Sequence, residues 1–467
     1  MHSFLARLTT WARATRPTDP ESAAVMAARW AALPDHVKTP AQLLGRRFVG
    51  CEGTHGVFPA CDFACKPCYH SAEANKVPID GAHTIAEVTR QMAFLRAVRG
   101  PGQYAQLIGG EVTLLSPEDH AATLEAMRQH GRMPMSMTHG DFGYDYLRRL
   151  AVRSDGTRRF RIVAFAAHID STMHGRSGAP HPMSEAELQA HRASFCAMFD
   201  RLRRDHRVRS HLAHNMTVTA DNVEQIPDLI RASHGLGFRM FSFQPAAYIG
   251  NEGRWREGYR AISDDDVWAR IEDGAGTRLP HRAIEVGDIR CNRTVWGLYV
   301  GERYVPLLDD REIGDLALRD AFFDALPSNL LFAPRARQAI QIARGVRRAP
   351  RVVPLALSWA LRFVRRAGGL ASFRHGVHPV TFVMHNFIDA RDVAPAWALM
   401  QDGTMSDEPR IRAAQERLQA CSYHMAHPES DELVPACVQH SVLDPLENRE
   451  LVTLLASPTR RHRTPIA

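Results

Sequence analysis

Cys61-Asp-Phe-Ala-Cys65-Lys-Pro-Cys68 sets three cysteines inside one short loop. Thiolates at C-x3-C-x2-C spacing suit a cluster of four irons. A fully ligated cubane takes four cysteines, so three leave one iron with an open coordination position. An open iron can hold a substrate or cofactor; a closed one can only pass electrons or brace a fold. Cysteine-based zinc sites instead favour C-x2-C pairs with a distant second pair. Downstream, Tyr104-Ala-Gln-Leu-Ile108 reads as a short buried strand that runs into Gly109-Gly110-Glu111. Glycine lets backbone approach a ligand closely, and a carboxylate such as Glu111 can accept from an ammonium. The plainer reading of that segment is an ordinary strand-to-helix turn.

The cysteine spacing, with Tyr69 after the last cysteine, resembles the signature of the radical S-adenosylmethionine (SAM) superfamily. The aromatic residue usual before the third cysteine is replaced here by Pro67, and the proline usual after Gly-Gly-Glu by Val112. The resemblance covers residues 46–255. It implies a [4Fe-4S] cluster on Cys61, Cys65 and Cys68, with SAM chelated at the open iron and cleaved to a 5′-deoxyadenosyl radical that takes hydrogen from a substrate. It also implies that Gly109, Gly110 and Glu111 hold the SAM amino group and that Tyr69 lies near the adenine. The expected electron donor is a flavodoxin or ferredoxin.

The elements that would position these groups alternate between strand and helix patterns. Arg47–Cys51 reads as a first strand. Thr84 and Glu87 form a Thr-x-x-Glu capping box ahead of Ile85, Val88, Met92 and Leu95 at helical spacing. Ser116-Pro117-Glu118-Asp119 starts the next helix with a cap, a first-turn proline and acidic residues. Met133–Met137, Phe160–Ala167, Leu212–Thr219 and Phe238–Phe243 read as further strands, and boxes at Ser184/Glu187 and Asp221/Glu224 open the helices between them. About six strand–helix units with short loops predict α/β architecture with a parallel sheet. The resemblance implies a partial (β/α)6 barrel, whose chemistry gathers at strand carboxyl ends. Those ends carry Glu111, His139, Asp170, Asn215 and Gln244. Asp170 and Asn215 are candidate SAM or substrate contacts, and equally ordinary strand ends.

The expected organisation is an N-terminal helical segment (1–45), the barrel (46–255), an α+β carboxyl-terminal extension (256–455) and a disordered tail (456–467). In the extension Trp296–Pro306 reads as a hairpin about Gly301-Glu302, followed by arginine-rich helical stretches. Val352–Leu361 is an apolar run about half as long as a bilayer span needs, with arginines at its ends. It either lies on an anionic membrane surface or packs on the barrel.

Five cysteines remain. Cys196 reads as core, and Cys51 as core or site wall. Cys291, Cys421 and Cys437 sit in polar contexts. Together they form an auxiliary iron–sulfur site with a histidine or an open iron as fourth ligand, a zinc site using His424 or His440, or no site at all. Phe382-Val-Met-His-Asn-Phe-Ile-Asp389, Cys421-Ser-Tyr-His424, Leu433-Val-Pro-Ala-Cys437 and the strand end Phe243-Gln244-Pro245 resemble the tetraether-lipid-synthase-like branch of the superfamily. Its characterised members join lipid chains and carry a cysteine-rich amino-terminal module absent here.

Composition fits this frame. The chain is 45% hydrophobic and 23% charged, as in soluble globular proteins. Eight cysteines in 467 residues do not make a secreted disulfide scaffold. No signal peptide is evident, so a reducing cytoplasm is expected. The net charge of +7 without a binding module is no evidence for nucleic acid. Three function classes stand: a radical SAM enzyme acting on a lipid or other apolar substrate, the same chemistry on a peptide, and a non-catalytic iron–sulfur or zinc protein.

Overall fold

The computed structural model describes residues 20–181, 183–326 and 335–456, with Leu5 alone before them. Six parallel strands follow in chain order: β1 (Cys51–Gly53), β2 (Gln103–Leu107), β3 (Arg132–Thr138), β4 (Ile162–His168), β5 (Arg209–Val218) and β6 (Phe238–Pro245). The helices Gly81–Arg99, Pro117–Gln129, Tyr144–Ala151, Gln189–His206 and Ile226–Ser233 make the crossovers between them. This is the partial (β/α)6 barrel expected from the sequence.

The extension adds to both edges of that sheet. The hairpin β7 (Asn292–Val300) and β8 (Arg303–Pro306) precedes β9 (Val377–His385), which pairs parallel with β6 and antiparallel with β7. The hairpin β10 (Tyr423–His427) and β11 (Glu432–Pro435) lies at the other edge, where β10 runs parallel to β1. The result is one eleven-stranded sheet. Parallel strands are buried on both faces. Accordingly Phe165, Phe238, Phe241, Phe243 and Phe382 pack in one core with Val88, Met92 and Leu95 of the first crossover helix.

Local signals were met to different degrees. Ser116 caps the second crossover helix, its hydroxyl accepting from Asp119 N at 3.1 Å, with Pro117 at the first position. Thr84 is not a cap. The helix starts three residues earlier, with Asp80 accepting from His83 N, and the Thr84 hydroxyl donates instead to Val57 O. Ser184 and Glu187 do form reciprocal bonds, but ahead of the helix, which begins at Gln189. Asp221 is drawn off by Arg256. The first strand lies later than Arg47–Cys51 because the chain turns at Gly45 and Gly50, both at positive φ.

Pro20–Ala31 is helical, consistent with the amino-terminal reading, while residues 1–4 and 6–19 and the tail after 456 lie outside the described residues. The helices Ile313–Ala325, Arg335–Arg348 and Val352–Arg366 pack together below the amino-terminal ends of the strands. Arg362 and Arg366 both pair with the buried Asp315, so two of the arginines beside the apolar run are tied into the fold. Among the described residues no helix is long and apolar enough to cross a membrane.

Candidate functional site

The cysteine loop follows β1 and is clamped from two sides. From β2, Gly110 N donates to Phe58 O at 2.7 Å and Glu111 N to Ala60 O at 2.9 Å. A Cβ on Gly110 would sit 1.8 Å from Ala60 O, and one on Gly109 2.9 Å from the Phe58 ring. This close approach is why glycine stands there. From the segment after β4, the carbonyls of His174 and Thr172 accept from Ala64 N and Lys66 N, each at 2.9 Å. Asn75 Oδ1 accepts from Cys61 N at 2.8 Å.

The two acidic candidates hold these clamps. Glu111 is buried, and its carboxylate accepts from Thr113 N (3.0 Å), Thr113 Oγ1 (2.5 Å), Thr138 Oγ1 (2.6 Å) and His139 N (2.7 Å). The two bonds from Thr138 and His139 tie the end of β2 to the end of β3, and the two from Thr113 close the turn that follows β2. His139 in turn stacks on Phe63 of the cysteine loop at 3.9 Å and meets Asp62 at 2.9 Å. Asp170 accepts from Thr172 N (2.9 Å), Thr172 Oγ1 (2.6 Å) and Thr217 N (2.9 Å), shaping the turn whose carbonyls receive the loop. Asn215 is 2% exposed, faces the central cavity and has no side-chain partner among the described residues.

Cys61, Cys65 and Cys68 open onto a cavity of about 1620 Å³ inside the barrel. Burial pushes the Cys61 thiol up to about 12 and raises Cys65. At neutral pH such thiols are protonated unless a cation draws off the proton. The three sulfurs do not all lie within 4.8 Å of one another. Thiolates on one zinc at about 2.3 Å would sit about 3.8 Å apart in a tetrahedron. Three thiols on one short loop, with the glycine cradle beside them, fit a multi-iron cluster with a ligand next to it.

Cys291, Cys421 and Cys437 come from three distant stretches and line the same cavity. Arg417 Nε donates to Cys291 Sγ at 3.1 Å, Ile388 N donates to Cys437 Sγ at 3.5 Å, and Cys421 Sγ donates to Tyr423 O at 3.0 Å. Burial raises all three thiols, and the negative charge of Cys421 and Cys291 would push Cys437 further up. They too fail to close within 4.8 Å. Cys51, on β1 beside them, also faces the cavity, whereas Cys196 is core.

Tyr69 is half-buried; its hydroxyl donates to Gly109 O at 3.1 Å and its ring lies 4.6 Å from His440. His440 stands on a π-helical turn, Gln439–Leu443, with Nδ1 2.7 Å from Asp444 Oδ2. Such turns are frequent at functional sites. His70, next to Tyr69, is pulled down to about 4 by burial and is neutral. A chamber of about 20 Å³ between His70, His440 and Asp444 has room for one water. Sequence reading weighed His440 only as a zinc ligand. Its i, i+4 spacing to Asp444 on a helix is the signal that was there to find.

No family model matches the chain, and no curated protein does either. Among solved structures it is similar to anSMEcpe with bound AdoMet, at 13% identity and a TM-score of 0.32, over 47% of this chain and 57% of that one. It is similar also to anSMEcpe with bound AdoMet and the Cp18Cys peptide, at 14% identity and 0.32, over 48% and 57%. The chain thus spans little more than half the length of those two. A third similarity is to dihydrodipicolinate synthase from Agrobacterium tumefaciens, at 14% identity and 0.26, over 88% and 99%.

Proposed function

We propose that the protein is a radical SAM enzyme acting on a C–H bond of an apolar substrate. The observation that carries this is the interlock at one mouth of the cavity. There, three half-buried thiols on the loop after β1 open onto the cavity, and the loop is fastened by backbone hydrogen bonds to Gly110 and Glu111 at the end of β2. Cys61, Cys65 and Cys68 would hold a [4Fe-4S] cluster. When bound, the cluster and SAM supply a 5′-deoxyadenosyl radical that abstracts hydrogen. The chain's own part is to fix and to exclude. The Gly110 carbonyl would offer an acceptor for an ammonium, with the Gly109 carbonyl held by Tyr69 and with Glu111 and Asp170 bracing the adjoining backbone. Tyr69 and the neutral His70 wall the site, and Asn215 presents an uncommitted amide.

A cavity of about 1620 Å³ exceeds the 300–1,000 Å³ usual for small-molecule sites. Its far end is walled by apolar side chains of the helices below the barrel. Seven residues of β3 at about 3.3 Å each span roughly 20 Å from that end to the cluster loop. A lipid-like chain fits such a shape better than a peptide, whose amide groups would lack partners there. Cys291, Cys421 and Cys437 would carry a second cluster on the same cavity. A flavodoxin or ferredoxin would supply electrons in the cytoplasm.

The test is anaerobic reconstitution with iron and sulfide, reduction in the presence of SAM, and assay for 5′-deoxyadenosine. Production is expected from the parent, with a fall to background in Cys65→Ala. A parent that loads iron and yields none sinks the reading. Iron content in a variant lacking Cys61, Cys65 and Cys68 reports on the second cluster.

A further inference from the structure

Away from the cavity, His55, His427 and Glu447 bring three ligand-type atoms within 4.8 Å of one another. They come from three separate segments: His55 lies just past β1, His427 ends β10, and Glu447 is on the helix Asp444–Ala456. Both histidines are buried. Their rings stack at 4.1 Å between centroids. His55 Nδ1 is 2.9 Å from Glu447 Oε2, and His427 Nδ1 is 3.9 Å from Glu447 Oε1 and 3.1 Å from Glu429 Oε1.

The far nitrogens settle the tautomers. His55 Nε2 lies 2.7 Å from Ala426 O, and His427 Nε2 lies 2.6 Å from Gln439 Oε1. Gln439 cannot be flipped, because its Nε2 donates to Asp444 Oδ1 at 2.9 Å and Glu447 Oε1 at 3.1 Å. Carbonyl oxygens only accept, so both Nε2 atoms carry protons. Both Nδ1 atoms then face carboxylate oxygens. One divalent cation would take up both lone pairs and the carboxylate together. A ligating histidine usually donates its other N–H to a carbonyl or carboxylate, and both rings here do so.

We infer that His55, His427 and Glu447 form a binding site for a divalent cation of the zinc class, distinct from all the cysteine sites. Two imidazoles and a carboxylate suit zinc and its first-row neighbours. Water or Glu429 completes the coordination. The ion clasps the entry to the cysteine loop to β10 and to the last described helix, segments far apart in sequence. It therefore holds the extension against the cluster edge of the sheet. The inference does not depend on the reaction proposed above.

The experiment uses the full-length chain, with its thiols filled by iron–sulfide reconstitution, and Co2+ as the probe. The parent-minus-His427→Ala difference spectrum is expected to show one Co2+ per chain, with d–d bands and no thiolate-to-cobalt charge transfer. Zn2+ should displace it and raise the melting midpoint of the parent but not of His427→Ala. Gln439→Leu keeps all three ligands and should weaken binding about 10–100-fold, which covers the case in which His427→Ala fails to fold. Equal cobalt binding in parent and His427→Ala overturns the site, as does a difference spectrum dominated by sulfur ligation or a parent that binds none. Unaltered affinity in Gln439→Leu likewise counts against it.

Discussion

The two ends of the barrel are built on opposite principles. At the carboxyl ends of the strands nearly every polar group is committed. Glu111 and Asp170 spend their acceptor positions on neighbouring strand ends, and the cysteine loop is held by four backbone hydrogen bonds. At the amino ends the cavity is walled by Met133, Ile162, Phe322, Ile342 and Leu357. Of the cations there, Arg132 forms a bidentate pair with the buried Glu52, while Arg47 and Arg128 each donate to a backbone carbonyl. One end holds atoms in place, as a reaction that depends on positioning requires. The other is made to accept apolar bulk without demanding a partner. Substitutions at the first end should cost geometry, and at the second only substrate.

Gly110→Ala should be the harshest break of that contrast. Its methyl would enter the Ala60 carbonyl, so the two clamping hydrogen bonds are lost, at about 1 kcal/mol each before strain is added. Loss of 5′-deoxyadenosine formation together with weakened SAM binding is the expected result, by assay and equilibrium dialysis. Glu111→Gln comes next. The amide turns one acceptor into a donor facing the Thr138 hydroxyl or the His139 N–H, a mismatch worth about 1–3 kcal/mol in denaturant melts. SAM turnover should fall with it. Leu357→Asp should be mildest for the fold. Leu357 is 64% exposed, and the change should shift stability by about 0.5 kcal/mol or less. It should leave SAM cleavage without substrate intact and cut product formation from an apolar chain several-fold. If Leu357→Asp instead abolishes SAM cleavage, the two ends are not separable.

What could be read from the sequence was what neighbouring residues decide. The cysteine spacing, the glycine pair and the Ser116-Pro117 start all act within a few residues, and each appears where expected. Capping at Thr84 and Asp221 failed for one reason. A side chain that can cap can also bond elsewhere, and Val57 O and Arg256 were the better partners once the chain had folded. Asp315 illustrates the same limit. Nothing local marks it as the buried partner of two arginines on another helix.

The sequence alone determined that three cysteines stay close together, because a loop this short cannot separate them by more than its own contour. It determined the six alternating units as well, through hydrophobic period and turn residues. Only tertiary structure decided that β10 lies against β1, and with it that Cys421, Cys437, His440 and the His427–Glu447 pair share an edge with the cysteine loop. Contacts across several hundred residues depend on which sheet edge is left unpaired, and an edge strand's free N–H and C=O groups carry no mark in the chain of the partner they will take.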